Sequence, residues 1–358
     1  MLFYELACHP EVFTREYLLK NNLAIKQIFK NITEKGSVAN LNEGEWKDIV
    51  IKKIASLDND KLKEGKLKKQ LQNIFKVLQV RNKIIYHHKI NNETDWLRII
   101  YANEIDFSAI LNTLTTHDTY EAEDLLESEL WDNLTRTSSE YAIQDEEYIK
   151  FEIEPILHNA RQIDLIDPYF DITKQRYIVP FKIILEALSN KTINKEVILS
   201  IHIKNQNNNL PDVLERTKYL KSWQDMFASN KNFNIQCTLY VWRETDKDKM
   251  HDRYIIRDES FCVVLPSGID ERRQNRTVWS DIGYHNIDGV LNDFRDESSP
   301  FKLVAKVNYN DILTLQQGNL KSIKNRKNAE IEENIHFKSG LNIKKRTRYA
   351  EKNRNAIT

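Results

Sequence analysis

Met250-His251-Asp252-Arg253-Tyr254-Ile255-Ile256-Arg257-Asp258 places a histidine, an arginine two residues later and an aspartate seven residues later at the entrance to an apolar strand. Side chains alternate along a strand, so His251 and Arg253 are expected on one face, within reach of one phosphate. An imidazole can attack phosphorus or deliver a proton, and a guanidinium fork can neutralise phosphoryl oxygens. The chemistry of this stretch depends on what surrounds it.

Upstream, the pattern alternates between strand and helix. Ile163-Asp164-Leu165-Ile166-Asp167 is a short apolar strand ending at Pro168, and Tyr177, Phe181, Ile184, Leu185 and Leu188 then share one helical face. A strand at 197–203 follows, then a helix opened by Pro211 that aligns Val213, Thr217, Leu220, Trp223 and Phe227, then a strand at 235–242. Two closely spaced strands, 254–256 and 261–265, complete the series. The order βαβαβ followed by a β-pair predicts an α/β fold: a mixed sheet with right-handed crossovers and helices on its faces. His251 falls in the loop after the third strand, where functional residues collect.

Residues 1–120 read as a mainly helical N-terminal domain, with Leu67, Leu71, Ile74, Phe75 and Leu78 at helical spacing and Trp96 and Phe107 as core anchors. Residues 84–90 form the one short strand candidate there. Segment 121–151 reads as an acidic helical connector: residues 121–154 carry 12 acidic and 2 basic side chains, a solvated face. Residues 152–318 form the α/β domain. Residues 319–358 form a basic tail, with 11 basic and 4 acidic residues between 321 and 354, that would cling weakly to polyanions.

With 53 basic and 53 acidic residues, the chain has no global field that points to nucleic acid. Cys8, Cys237 and Cys262 lack metal-ligand spacing and read as buried, reduced thiols. The start of the chain lacks the pattern of a signal peptide, and nowhere do 18 apolar residues run together. A cytoplasmic protein without membrane association is expected.

Three motifs, Asp167-Pro168-Tyr169-Phe170 at a strand end, His251-Asp252-Arg253 before a strand and Ser267-Gly268-Ile269-Asp270 after the next, resemble the phospholipase-D-like domain at the C-terminus of MIT-domain proteins. The resemblance covers roughly residues 152–310 and implies a phospholipase-D-like mixed sheet flanked by helices. The wider superfamily includes lipases, metal-independent nucleases and phosphotransferases that place two His-x-Lys-x4-Asp motifs around one phosphate. By that resemblance His251, Arg253 and Asp258 would be catalytic, and Asp167, Tyr169, Ser267 and Gly268 would line the substrate site, with no metal and no cofactor. Ser267 and Gly268 would offer a hydroxyl and amides to a phosphate or form a tight turn. Asp167 would line the site or cap the turn made with Pro168. Arg253 stands where the enzymes have lysine, and the Ser-Gly pair lies nine and ten residues past Asp258. MIT-type members are regarded as non-catalytic binders of phospholipid headgroups.

The motif occurs in one good copy, so a working enzyme needs a second histidine, which a homodimer axis through the site would supply. An internal rival, His202-x-Lys204 with Asn209, sits on a different strand. His285 reads as structural. A second rival is Arg81-Asn82 followed by His87 and His88, which is similar to the R-N-x4-H signature of helical HEPN ribonucleases. On one helix spanning 71–88, Arg81 and His88 would lie about 20° apart.

The function expected is therefore a metal-independent phosphodiesterase, a nuclease that acts through a phosphohistidine and is completed by dimerisation. The Lys-, Asn- and Ile-rich composition and the helical adaptor suit an antiviral-defence setting by association. The alternatives are a non-catalytic module that binds phosphate groups, nucleic acid or a partner protein, and the HEPN-like ribonuclease.

Overall fold

The computed structural model describes residues 2–41, 45–86, 107–189, 196–205, 222, 235–245, 249–295 and 299–308. The basic tail, the helix expected after Pro211, Trp96, His87, His88 and Asn209 lie outside them.

The N-terminal region holds helices α1 (Arg15–Lys20), α2 (Asn22–Lys35), α3 (Glu45–Ala55) and α4 (Leu62–Val80). Helices make up most of its described residues, but a sheet runs through it as well. Strands β1 (Tyr4–Cys8), β2 (Gly36–Asn40), β3 (Ile84–Tyr86) and β4 (Ala109–Leu111) form an all-parallel sheet in the order β3-β2-β1-β4. Every residue of β1, β2 and β4 is buried, so these strands lack the polar alternation that would have marked them in the sequence. Leu67, Leu71, Phe75 and Leu78 are buried as their spacing predicts, with Ile74 packed beside them.

The acidic segment is not one connector. Helices α5 (Ala122–Leu126) and α6 (Glu129–Thr135) bury Ala122, Leu125, Trp131 and Leu134 in the N-terminal core. Beyond strand β5 (Ala142–Gln144), helix α7 (Glu146–Leu157) buries Tyr148, Ile149, Ile153 and Ile156 in the next core. The boundary between the two cores thus falls inside the segment, after α6.

The second unit is a mixed α/β sheet. Its strands are β6 (Gln162–Ile166), β7 (Val197–Lys204), β8 (Ile235–Arg243), β9 (Tyr254–Arg257), β10 (Phe261–Val264), β12 (Ser280–Asp281) and β13 (Lys302–Asn308), in the order β12-β10-β9-β6-β7-β8-β13. β6, β7 and β8 are parallel, whereas β9 runs antiparallel to β6. Helix α8 (Gln175–Ser189) covers one face with the five predicted residues Tyr177, Phe181, Ile184, Leu185 and Leu188, all buried. A separate ribbon pairs β5 with β11 (Arg272–Thr277), and a short helix α9 (Ile287–Asn292) packs on the opposite face of the sheet. None of the three cysteines is in a disulfide and all are buried, as expected. No described helix is long and apolar enough to cross a membrane.

The two units meet along a seam. Phe3, just before β1, packs on Phe261 of β10 with ring centroids 5.0 Å apart, and the Arg257 guanidinium lies 4.2 Å from the Phe3 centroid. Lys83 is buried beside this pair, its ammonium 5.3 Å from the Phe3 centroid and 5.7 Å from that of Phe261.

Candidate anion site

Three chain segments converge at the carboxyl end of β6. The register pairs Ile166 of β6 with Tyr254 of β9, so the next residues outward, Asp167 and Arg253, face each other just beyond the ladder. The Leu265 amide donates to the Arg253 carbonyl at 2.8 Å, which brings the turn 265–270 alongside. The carboxyl ends of parallel strands in open α/β sheets are where ligands bind.

The strand begins only at Tyr254, so His251 and Arg253 lie on the incoming segment and not in the ladder. They still reach the same neighbour. Tyr169 places its hydroxyl 3.2 Å from Nδ1 of His251, and the Arg253 guanidinium carbon stands 4.8 Å from the Tyr169 ring centroid. The His251 ring is exposed to solvent, and Arg253 is half-buried behind it. Arg253 Nη1 donates to the Pro266 carbonyl at 2.5 Å, and its Nε lies 3.5 Å from Oδ1 of Asp167.

Asp167 is fully buried. Its Oδ1 accepts the Tyr169 amide at 2.9 Å, so the turn-capping role predicted for it is filled. Its Oδ2 has no donor in regular hydrogen-bond geometry, the Ile269 amide being near enough only to ease the charge. Burial pushes the carboxyl up to about 6, against the pull of the Tyr169 amide and of Arg253.

Gly268 closes this pocket with φ +78°. A Cβ there would stand 2.6 Å from Asp167 Oδ2 and 2.9 Å from Arg253 Cδ, so no other residue fits the turn without displacing one of them. Ser267 is half-buried in the same turn.

Residues that sequence patterns did not reveal hold the turn in place. Gln144, from the β5 ribbon, donates to the carbonyls of Gly268 at 2.8 Å and Asp270 at 3.0 Å. Pro180 in α8 has no N–H for the Arg176 carbonyl one turn back, and the Glu271 amide takes that carbonyl at 2.9 Å. Arg176 also faces the buried Asp270 at 3.5 Å. On the other side, Lys204 pairs with Glu244 at 2.7 Å, and Glu244 accepts the Met250 amide at 2.9 Å, which fixes the chain immediately before His251. These partners lie up to 126 residues apart in sequence, and only the fold brings them together.

Asp258 does not join the site. It lies at the far end of β9, where Oδ1 accepts the amides of Arg161 and Gln162 at 2.9 Å each and Oδ2 faces Arg257 at 3.4 Å. Its φ of +50° marks a turn residue, which leaves it a structural role in place of the catalytic one expected.

The described residues of the two internal rivals sit elsewhere in the fold. His202 is buried on the sheet, stacked on Tyr240 at 4.8 Å, with Nδ1 accepting the Trp242 indole N–H at 3.1 Å. Its other nitrogen faces Asp164 at 3.5 Å without a regular hydrogen bond, and the imidazole is a buried core group stacked among aromatic rings. The helix needed for the HEPN reading ends at Val80. Asn82 has φ +53° and β3 begins at Ile84, which removes the shared helical face. Arg81 instead stacks on Tyr284, 3.6 Å from its centroid, and donates to the Thr33 carbonyl and to Glu34. His285 is exposed beside Tyr284.

Among the described residues, no group of three or more His, Cys, Asp or Glu is arranged to hold a metal ion. No model of a known protein family matches the chain. No curated protein shows significant similarity to it.

Proposed function

We propose that the His251–Arg253 site binds a phosphodiester and cleaves it without a metal, with nucleic acid as the substrate. The reading rests on one observation: an exposed imidazole and a guanidinium, carried two residues apart on the segment entering β9, meet at Tyr169 beyond the end of β6, with the glycine turn packed against the guanidinium. In this scheme Nε2 of His251 attacks phosphorus, forming a P–N bond as the P–O bond to the leaving group breaks. Arg253 holds the equatorial oxygens as charge builds. The leaving oxygen takes its proton from a second imidazole, the partner's His251 in a two-fold dimer, because the described site contains one. Water then attacks phosphorus, the P–N bond breaks, and the proton released returns to that second imidazole.

The test combines assembly with chemistry. Hydrolysis of bis(p-nitrophenyl) phosphate or a short oligonucleotide should persist in EDTA, disappear in His251→Ala and accompany a dimer in sedimentation. A monomer, or activity that survives His251→Ala, rules the scheme out.

A second reading, phosphate binding without turnover, is favoured by the way Arg253 is tied to Pro266 and Asp167. It is recognised by diester binding that is lost in Arg253→Ala, with no hydrolysis in the parent protein. Arg253→Lys separates the two: a binder loses the fork and weakens, whereas an enzyme gains the lysine of the His-x-Lys-x4-Asp motif and keeps its turnover.

A further inference from the structure

Asp167 cannot touch a ligand, because it is fully buried behind Arg253 and Gly268. Its influence must pass through Arg253. While the carboxylate is ionised, its charge 3.5 Å from Nε already compensates the guanidinium, and the pair presents little net field to an incoming anion. Oδ2 meanwhile lies against the glycine turn with no regular donor, an arrangement that suits a protonated carboxyl better than a charged one.

We propose that Asp167 is a positioning residue that couples anion binding at the site to proton uptake: the anion and a proton on Asp167 arrive together, and the protonated carboxyl releases the full charge of Arg253 to the anion. The inference rests on the anion-binding reading above and adds its regulation.

The neighbouring charges set the direction. From the β9 entry, Arg253 favours the ionised form; from the turn, Asp270 opposes it; from α8, Arg176 is turned to Asp270, while Tyr177 stays a neutral phenol, its ionisation pushed up by burial and by Asp167 and Asp270. Burial has already pushed the free carboxyl up to about 6, and the charge of an anion drawn to Arg253 would raise it further. Binding therefore takes up a proton above about pH 6, and affinity falls as pH rises from there.

Histidines as a class titrate near neutrality, so the experiment is run in a His251→Gln background. The probe is bis(p-nitrophenyl) phosphate, a monoanion throughout the range. Its affinity is measured from pH 5.5 to 8 with and without Asp167→Asn. Affinity in the background should fall roughly tenfold across the range, following one bound proton. With Asp167→Asn it should be flat and match the low-pH value. In the parent protein, the Asp167 carboxyl ¹³C resonance should titrate near pH 6 and move to higher pH when the diester is added; this arm decides the matter if Asn is not tolerated. Binding that keeps its pH dependence without Asp167, or a carboxyl resonance that ignores the ligand, overturns the coupling and leaves the site reading intact. No diester binding by the parent protein at any pH overturns both.

Discussion

His251 and Asp258 lie at opposite ends of β9, with the strand Tyr254–Arg257 between them. At about 3.3 Å per residue, that is roughly 10 Å or more of extended chain, too far for a shared phosphate contact. Asp258 instead takes two backbone amides of the chain entering β6 and the buried Arg257.

Asp258→Ala should therefore damage folding and spare chemistry. Stranding two amides and removing the adjacent carboxylate of the buried Arg257 costs about 3–5 kcal/mol, read as a lower urea midpoint with unchanged slope. Turnover or diester binding per folded molecule should stay within about twofold of the parent, in contrast to His251→Ala. An Asp258→Ala protein that is stable but inert would return Asp258 to the site.

The eight-residue motif was legible as a spacing and misleading as a constellation. Its first half lies in the candidate site and its second half marks a turn. The sheet of the second unit could be read from apolar runs such as Ile163–Ile166 and Phe261–Val264, because central strands with both faces buried are continuously hydrophobic. The N-terminal sheet could not. Gly36-Ser37-Val38-Ala39-Asn40 is buried throughout, yet it carries no pattern that separates it from a loop. Gln144 and Glu244 were also invisible, since a hydrogen bond to a turn 124 residues away leaves no local signature.

Gly268→Ala tests how tightly the turn is built. The added methyl meets Asp167 Oδ2 and Arg253 Cδ inside contact distance, at a backbone conformation L-residues rarely adopt. A loss of about 1–3 kcal/mol in stability is expected, together with weaker diester binding as Arg253 is displaced. Unchanged binding would mean that the guanidinium does not act from its observed position.

Tyr169 has two separable roles. Tyr169→Phe removes the hydroxyl 3.2 Å from His251 Nδ1 and keeps the ring beside Arg253. The ¹⁵N shifts of His251 should then report an altered tautomer balance, while diester binding changes by less than about threefold. Tyr169→Ala removes the ring as well, and the lost cation–π contact, about 0.5–2 kcal/mol, should weaken binding further. Equal effects from Phe and Ala would show that only the hydroxyl matters.

Lys83 offers a test of the seam between the two units through pH. Its ammonium is fully buried, donating to the Glu34 carbonyl at 3.3 Å. Burial, with help from Arg257, lowers it from 10.5 to about 7, against the opposing pull of Asp258 and Asp281. The unfolded chain therefore holds this proton more tightly than the folded one between about pH 7 and 10.5. In that window the unfolded state binds more protons, so stability rises with pH, by at most about 1.4 kcal/mol per unit. Below pH 7 both states are charged and the burial penalty is present in full. Urea denaturation from pH 6.5 to 9.5 should show the parent gaining stability on Lys83→Met, which has no proton to lose, as pH rises. Parallel stability curves for the two proteins would mean that Lys83 stays charged in the fold, and that the acids Asp258 and Asp281 hold the seam as true ion partners.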